Sequence, residues 1–247
     1  MEKKVIAITG ATGLIGNALV NRLVKKNYRL LLFVRDKQKT LNLFGDFEQS
    51  LDIIECDLQD FDELEDQLKK IDSELYINGL VHLGVMREAQ KELRNYRDFF
   101  AMSAMRNANI NFILWDFFSE HMAKKGGGSM VFMSSVYGSR APDFSIYNDT
   151  DMGTEPDYPF IKAGGVALSK YYASLYGKFG VRSNAIILGG VENNQPQNFI
   201  DRYSDRTCLK RLARPDEATG LCEFLLSDDS SYITGAEIPV DGGLLSL

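Results

Sequence analysis

Cysteine and histidine are both scarce in this sequence, which holds three cysteines and two histidines among 247 residues. Cys56, Cys208 and Cys222 are widely separated and odd in number, which favours free thiols in a reducing compartment over a disulfide framework. Zinc sites need several cysteine, histidine or carboxylate ligands at characteristic spacings, and no such spacing occurs here. The sequence therefore predicts no metal centre.

Positive charge is also sparse, because 28 lysines and arginines stand against 34 aspartates and glutamates, for a net charge of -6. Without a basic tract, we expect no binding to nucleic acid. The sequence has no apolar run of membrane length, and its first residues lead straight into a short strand. We therefore expect no signal peptide and no membrane partner, and predict a cytoplasmic protein.

Apolar runs alternate with helical patterns along the whole chain. The runs have the length and composition of buried strands and cover residues 5–8, 30–34, 53–54, 80–83, 130–133, 185–188 and 238–240. Such alternation predicts a doubly wound α/β Rossmann fold, in which a mostly parallel seven-stranded sheet carries helices on both faces. We see no linker, internal repeat or low-complexity segment, so residues 1–247 are expected to form a single domain.

Two helices can be placed in more detail. Residues 14–24 carry apolar side chains at helical spacing, and residues 61–70 form a second helical pattern. Asp60 is a good N-cap for the second helix, and Glu63 three residues later completes a capping box. In a parallel sheet of this kind, right-handed crossovers bring the carboxyl ends of the strands to one edge, where ligands bind.

A glycine-rich turn follows the first predicted strand and opens the first helix. Gly10 permits the tight turn, Gly13 lets the backbone approach a pyrophosphate, and Gly16 packs the helix on the strand. The N–H groups and positive dipole end near Leu14 and Ile15 would then bind the diphosphate. A glycine-rich turn without a ligand is the alternative, but this position between strand and helix favours a dinucleotide. The expected cofactor-binding residues here are Gly10, Thr12, Gly13, Leu14, Ile15 and Gly16.

The end of the second predicted strand bears on the choice between NAD and NADP. An acidic residue there would accept hydrogen bonds from the ribose 2′-hydroxyl, whereas an arginine suits a 2′-phosphate. This chain has Arg35, whose guanidinium can grip a phosphate with two parallel bonds. The alternative is a surface arginine paired with Asp36. We expect NADP(H) to be preferred, with NAD(H) as the other option. Asp57, after the third strand, either meets the adenine or caps a turn.

Tyr158 and Lys162 stand four residues apart, which places them on one face of a helix. A free phenol has a pKa of about 10, and a nearby ammonium favours the phenolate. Lowering that pKa to about 7 takes about 4 kcal/mol, which a close charge in a partly dry cleft can supply. Such a tyrosine can exchange a proton with a carbonyl or alcohol oxygen. Ser135, after the fifth strand, either bonds a substrate oxygen at the same edge or is an ordinary strand-end serine.

Two irregular segments flank these residues. Residues 138–157 form a long loop that ends where the Tyr158 helix should begin, and such loops in compact domains are usually functional or mobile. Residues 192–198 read Glu-Asn-Asn-Gln-Pro-Gln-Asn. Their amides suit the hydroxyl groups of a polyol or sugar, although a hydrophilic loop without a ligand is the alternative.

With these pieces in order, the sequence resembles the short-chain dehydrogenase/reductase family over nearly its whole length. The matching pieces are 9–16, 57–58, 81–84, 134–138, 158–162, 232–235 and 240–243. The resemblance implies that Ser135 positions the substrate oxygen, that Tyr158 is the acid or base, and that Lys162 lowers the tyrosine pKa and holds the nicotinamide ribose. It places the fourth catalytic residue at Asn107, with Asn109 and Asn111 close by. The further cofactor contacts that it implies are Asp57, Leu58, His82, Leu83, Gly84, Val191, Tyr158 and Lys162.

The chain also departs from the family pattern. Its glycine spacing is the Gly-x-x-Gly-x-x-Gly form of the family's longer nucleotide-sugar epimerases and dehydratases. The family's Asn-Asn-Ala-Gly segment is replaced at residues 81–84, where His82 either touches cofactor or makes a local backbone bond. Ser135 and Tyr158 are separated by more residues than usual. The intervening loop, with its 141–147 phrase, resembles a bacterial subgroup associated with surface-polysaccharide and flagellin-glycan sugar biosynthesis.

Three functional hypotheses follow. The first is an NAD(P)(H)-dependent carbonyl reductase or alcohol dehydrogenase acting on a small polar substrate, with a sugar derivative as the specific suggestion. The glycine spacing suggests the second, a nucleotide-sugar epimerase or dehydratase with bound NAD, although those enzymes need an added C-terminal substrate domain. The third, a non-catalytic NADP-binding sensor, has no need for Tyr158 and Lys162 together. The resemblance also implies a homo-oligomer, a tetramer or dimer, formed through the Tyr158 helix and a helix over 107–125.

Overall fold

The computed structural model describes residues 3–71, 75–84 and 96–247. Its strands are β1 (Val5–Thr9), β2 (Arg29–Val34), β3 (Leu51–Glu55), β4 (Ile77–His82), β5 (Gly128–Ser135), β6 (Val181–Leu188) and β7 (Glu237–Val240). All pair in parallel, in the order β3-β2-β1-β4-β5-β6-β7. The chain winds outward from β1 in one direction and then restarts at β4 in the other. That reversal leaves a crevice at the carboxyl ends of the strands, and the predicted doubly wound α/β fold is confirmed.

Helices cover both faces of the sheet. They are α1 (Leu14–Lys25), α2 (Lys37–Phe44), α3 (Phe61–Lys69), α4 (Tyr96–Lys124), α5 (Asp157–Tyr176), α6 (Gln197–Asp205) and α7 (Thr219–Leu226). In the described part of the chain, none of the helices is both long enough and apolar enough to pass through a bilayer. The predicted helix over 107–125 is part of α4, which begins earlier, at Tyr96, and ends at Lys124.

Two hydrophobic cores lie on opposite faces of the sheet because successive strand residues point to opposite sides. In β1, Ala7 packs with Trp115 of α4 in one core, and Ile8 packs with Leu19 of α1 in the other. All four side chains are almost completely buried. Each large apolar side chain that is fully buried stabilises the fold by about 1.5–3 kcal/mol relative to exposure, so these two cores hold the helices on the sheet.

The start of α3 differs in part from the predicted capping box. The Asp60 carboxylate accepts the backbone N–H of Glu63 at 3.0 Å, as expected for an N-cap. The Glu63 carboxylate, however, accepts the N–H of Asp57 at 3.0 Å, whereas the N–H of Asp60 bonds the Asp57 carbonyl. Glu63 therefore ties the helix to the end of β3, and the reciprocal half of the box is not formed.

Candidate active site

A cleft of about 690 Å³ opens at the carboxyl edge of the sheet. Its volume lies within the range of about 300–1,000 Å³ that is usual for ligand pockets. Among the residues predicted from the sequence, its walls include Leu14, Ile15, Leu83, Ser135, Tyr158, Lys162 and Val191. The remaining predicted residues lie outside these walls: Gly10, Thr12, Gly13, Gly16, Arg35, Asp57, Leu58, His82, Gly84 and Asn107.

Tyr158 and Lys162 stand in the first turns of α5 and meet in the cleft. The Lys162 ammonium lies 5.7 Å from the centre of the Tyr158 ring and 5.3 Å from that of Phe132. It donates a hydrogen bond to the Met133 carbonyl at 2.6 Å. Because the lysine is only 3% exposed, its charge acts in a poorly screened environment.

Ser135 ends β5 and reaches the same cleft. Its oxygen accepts the backbone N–H of Tyr137 at 3.2 Å, which fixes the side chain in a short turn. The neighbouring Ser134 hydroxyl donates to the Lys162 carbonyl at 3.0 Å. The two serines therefore have different roles. Ser134 holds α5 against the sheet, whereas Ser135 presents its hydroxyl to the cleft.

Asn107 lies behind the cleft on α4 and is buried. Its side-chain amide donates to the Ser103 carbonyl at 2.9 Å. The Ser103 hydroxyl in turn donates at 2.5 Å to the carboxylate of Asp157, the buried first residue of α5. These bonds join α4 to the helix turn that carries Tyr158. Sequence reasoning missed Ser103 and Asp157, because no local pattern marks a bond between residues so far apart in the chain.

The glycine-rich turn leaves the start of α1 open to an anion. Gly13 is the extended N-cap of α1, with no side-chain cap and no acidic residue in the first turn. The first N–H groups of a helix have no partner within the helix, and they form the positive end of its dipole. The fold itself requires Gly16, because a β-carbon there would lie 2.1 Å from the Gly10 carbonyl oxygen. At Gly13 a β-carbon would meet only that oxygen, at 3.3 Å, so the fold constrains this position less strictly than it constrains Gly16.

The region expected to hold the adenosine end shows two turn-capping aspartates. Asp36 accepts the N–H of Lys39 at 2.7 Å and caps α2. It is therefore not paired with Arg35, which is exposed and has no hydrogen-bond or ion-pair partner among the described residues. Asp57 caps its own turn by accepting the N–H of Gln59 at 3.0 Å. The turn-capping alternative for Asp57 is thus present, and its contact with adenine stays a prediction.

His82 is turned away from the cleft into the core. Its Nδ1 and the Thr9 hydroxyl are 2.5 Å apart, and its ring stacks on Phe132 at 5.9 Å between centroids. Burial, together with the nearby charge of Lys162, lowers the pKa of His82 to about 3, so the ring is neutral at ordinary pH. Of the two alternatives for His82, the local backbone bond is replaced by this bond to the β1 hydroxyl, and the contact with a cofactor stays a prediction.

The amide-rich segment over residues 192–198 uses one of its side chains for hydrogen bonds within its own loop. The Gln195 side chain accepts the N–H of Asn193 at 2.7 Å and donates to the Val191 carbonyl at 2.7 Å, so this amide closes its own loop. The side chains of Asn193 and Asn194 line the cleft. An aromatic wall that sequence reasoning had not assigned to the site stands near them, formed by Tyr137, Tyr147, Phe199 and Tyr203.

Comparison with known proteins identifies the family to which this arrangement belongs. A family model described as enoyl-(acyl carrier protein) reductase matches residues 10–245. The chain belongs to the short-chain dehydrogenase/reductase family. Membership confirms the resemblance drawn from the sequence, and it makes the chain an oxidoreductase that uses a nicotinamide dinucleotide. The open helix start and the glycines of residues 10–16 fit the diphosphate of such a cofactor.

Two curated members of the family match over almost the whole chain. The post-translational flagellin modification protein A of Campylobacter coli is 26% identical over 260 residues, covering 98% of each chain. The 3-oxoacyl-(acyl-carrier-protein) reductase MabA of Mycobacterium bovis is 26% identical over 252 residues, covering 97% of this chain and 92% of the relative. The first agrees with the sequence resemblance to a flagellin-glycan subgroup.

Solved structures of the family superpose closely. A short-chain dehydrogenase from Leptospira borgpetersenii with bound NAD+ has a TM-score of 0.83 and 26% identity, covering 99% of this chain and 93% of its own. A gluconate 5-dehydrogenase from Burkholderia cenocepacia, in complex with NADP and tartrate, has a TM-score of 0.84 and 23% identity, covering 100% and 97%. One binds NAD+ and the other NADP, so these two structures do not decide which cofactor this chain prefers.

Proposed function

We propose that this protein is an NADP(H)-dependent carbonyl reductase or alcohol dehydrogenase acting on a small polar, sugar-derived substrate. The observation that carries the proposal is the cleft shared by Tyr158, Lys162 and the Ser135 hydroxyl at the carboxyl edge of the sheet. A phenol, a buried ammonium and a strand-end hydroxyl at one cavity are the parts needed to handle a proton on a carbonyl oxygen.

In the reductive direction, Tyr158 would donate its proton to the substrate oxygen while Ser135 holds that oxygen by a hydrogen bond. Lys162 would stabilise the phenolate that remains, because its ammonium lies beside the tyrosine ring. We assign Asn107 to the relay that returns a proton to Tyr158. The bound nicotinamide supplies or accepts the hydride at the reacting carbon. The turn over residues 10–16, with Leu83 and Val191 at the cleft wall, would hold this cofactor.

The preference for NADP(H) is supported by the state of Arg35. Its guanidinium stands at the end of β2 without a partner among the described residues, while Asp36 is engaged in capping α2. A guanidinium matches a phosphate with two parallel bonds. We therefore assign it to the 2′-phosphate, which NAD(H) lacks.

The lining of the cleft supports a polar, uncharged substrate. Lys162 is the only charged residue among the described residues that line it, and we have assigned that lysine to Tyr158. The Asn193 and Asn194 amides can match hydroxyl groups, which both donate and accept. The flagellin modification protein among the relatives agrees with a substrate related to sugars.

A homo-oligomer is supported by the outer face of α4 and α5. Large apolar side chains are exposed there on both helices, including Met105, Phe112, Phe160 and Tyr171. Exposed apolar patches of this kind mark interaction surfaces. We propose that two copies pack through this face, and that residues 1–247 act as one catalytic unit.

Cys56, Cys208 and Cys222 are free thiols, which agrees with the cytoplasmic setting that we propose.

The experiment is a reduction assay with NADPH and NADH side by side over a panel of hydroxylated ketones and keto-sugars. We expect consumption of NADPH with at least one member, and at least a tenfold preference over NADH, which corresponds to about 1.4 kcal/mol. A tenfold preference for NADH would overturn the role of Arg35. Absence of any consumption over the panel would overturn the proposed substrate class.

A further inference from the structure

The long loop over residues 138–157 is fixed to α6 by two arginines, Arg202 within the helix and Arg206 directly after it. Arg202 donates to the Asn148 carbonyl, and to the Asp149 carboxylate at 2.8 Å. Arg206 binds the Asp143 carboxylate, and its guanidinium also donates to the Ser145 hydroxyl at 2.7 Å. Hydrogen bonds from Ser145 and Arg206 lower the pKa of the Asp143 carboxyl, so the pairing persists at ordinary pH. The loop and α6 therefore form one structural unit.

This attachment delivers Tyr147 of the loop to the cleft. Its ring stacks on Phe199 of α6, with centroids 5.6 Å apart and planes at 28°. Its hydroxyl lies 2.6 Å from the hydroxyl of Tyr137, which stands two residues after Ser135 in the chain. The Tyr137 ring in turn packs edge-to-face on Tyr158 at 6.5 Å. The Tyr137 ring thus links the pair of hydroxyls to the proposed acid, and the rings of Tyr137 and Tyr147 both line the cleft.

The chemistry of this pair suits a ligand hydroxyl. Burial raises the pKa of Tyr137, so its phenol keeps its proton across the physiological range. A phenolic hydroxyl both donates and accepts, and so does an alcohol. The flat faces of Tyr147 and Phe199 offer apolar area to the C–H groups of a ring. No carboxylate is found among the described residues that line the cleft.

We propose that the loop over residues 138–157 is a substrate-recognition element, and that the pair of hydroxyls formed by its Tyr147 with Tyr137 selects a ring that carries a hydroxyl group next to the reacting carbon. The position next to the reacting carbon follows from the contact between Tyr137 and Tyr158, and it rests on the proposed function of Tyr158. The two phenols also bond one another, so neither is left without a partner when the ligand ring lacks that hydroxyl. Such a ligand therefore still binds. The selectivity is therefore that of a neutral hydrogen bond, roughly two- to tenfold in affinity.

The test measures binding, so that it does not depend on turnover. Two probes are compared, cyclohexanol and trans-cyclohexane-1,2-diol, which carries a second hydroxyl on the neighbouring carbon. Their dissociation constants are measured by NMR titration, with and without NADP+. Wild-type protein should bind the diol roughly two- to tenfold more tightly, and Tyr147→Phe and Tyr137→Phe should each lower that ratio towards one. The matched control is Tyr232→Phe, which makes the same change at a fully exposed ring and should leave the ratio unchanged.

A second pair of variants tests the attachment of the loop. Arg206→Ala should also lower the diol preference, whereas Arg214→Ala, at an exposed arginine paired with its neighbours Asp216 and Glu217, should not. Equal affinity of the wild-type protein for both probes would overturn the proposal, as would tyrosine variants that keep the full preference. A protein that binds the diol selectively but consumes no cofactor would contradict the proposed function alone.

Discussion

Acid should destabilise this protein through His82 in particular. The imidazole is 2% exposed and packed between aromatic rings, with its pKa lowered to about 3 from an ordinary value near 6.5. The unfolded chain therefore binds a proton between these two values while the folded chain does not. The stability that depends on neutral His82 is present above pH 6.5 and is lost as the pH falls towards 3.

The size of this effect follows from the two pKa values. One proton per molecule changes the free energy of unfolding by about 1.4 kcal/mol per pH unit, and the integral from pH 7 to pH 4 is about 3 kcal/mol. Total stabilities of domains are about 5–15 kcal/mol, so the loss is a large fraction. Urea unfolding, followed by circular dichroism at pH 7, 6, 5 and 4, measures it.

His82→Gln isolates the contribution, because glutamine keeps a polar group near Thr9 but does not titrate. The variant should start less stable at pH 7 and then lose about 3 kcal/mol less than wild type on going to pH 4. His121→Gln is the control. Burial lowers the pKa of His121 as well, but this histidine is only partly buried, whereas His82 is almost completely buried. If wild type and His82→Gln lose stability in parallel over this range, the neutral buried imidazole is the wrong explanation.

Three further predictions concern the cofactor and the assembly. Arg35→Ala should weaken NADPH binding about tenfold or more and leave NADH binding within about twofold, as measured by calorimetry; equal losses for both would refute the 2′-phosphate role. Gly16→Ala should lower the thermal midpoint and abolish cofactor binding, because the new β-carbon would overlap the Gly10 carbonyl, whereas Gly164→Ala, with open space around it, should be neutral or stabilising by up to about 1 kcal/mol. Phe112→Asp should reduce the mass seen by light scattering, while an unchanged mass would exclude this face from the interface.

Much of the fold could be predicted because its signals are local. Each strand of the sheet contains an apolar run, and the run over residues 5–8 lies in β1, all of whose residues are buried. Tyr158 and Lys162 could be paired because helical spacing alone decides which side chains are neighbours. The N-cap at Asp60 was predictable for the same reason.

What could not be predicted depends on contacts between distant parts of the chain. Glu63 was assigned to Asp60 but bonds Asp57, because the preceding strand end offers its N–H at a suitable place. The hydrogen bond of His82 could not be predicted either, because its partner Thr9 lies on the neighbouring strand. The fixing of the long loop by Arg202 and Arg206 has no signal in a single sequence, because it arises only when α6 packs beside that loop.

The most direct test of the central proposal, that Tyr158 is the acid and base of a nicotinamide-dependent reaction, compares Tyr158→Phe with wild type. The measurements are NADPH affinity by fluorescence titration and turnover with the best substrate of the panel. We predict unchanged affinity within about twofold and turnover reduced by about 10²–10⁴-fold, the usual contribution of a positioned acid. Turnover that survives the loss of this hydroxyl would contradict the account.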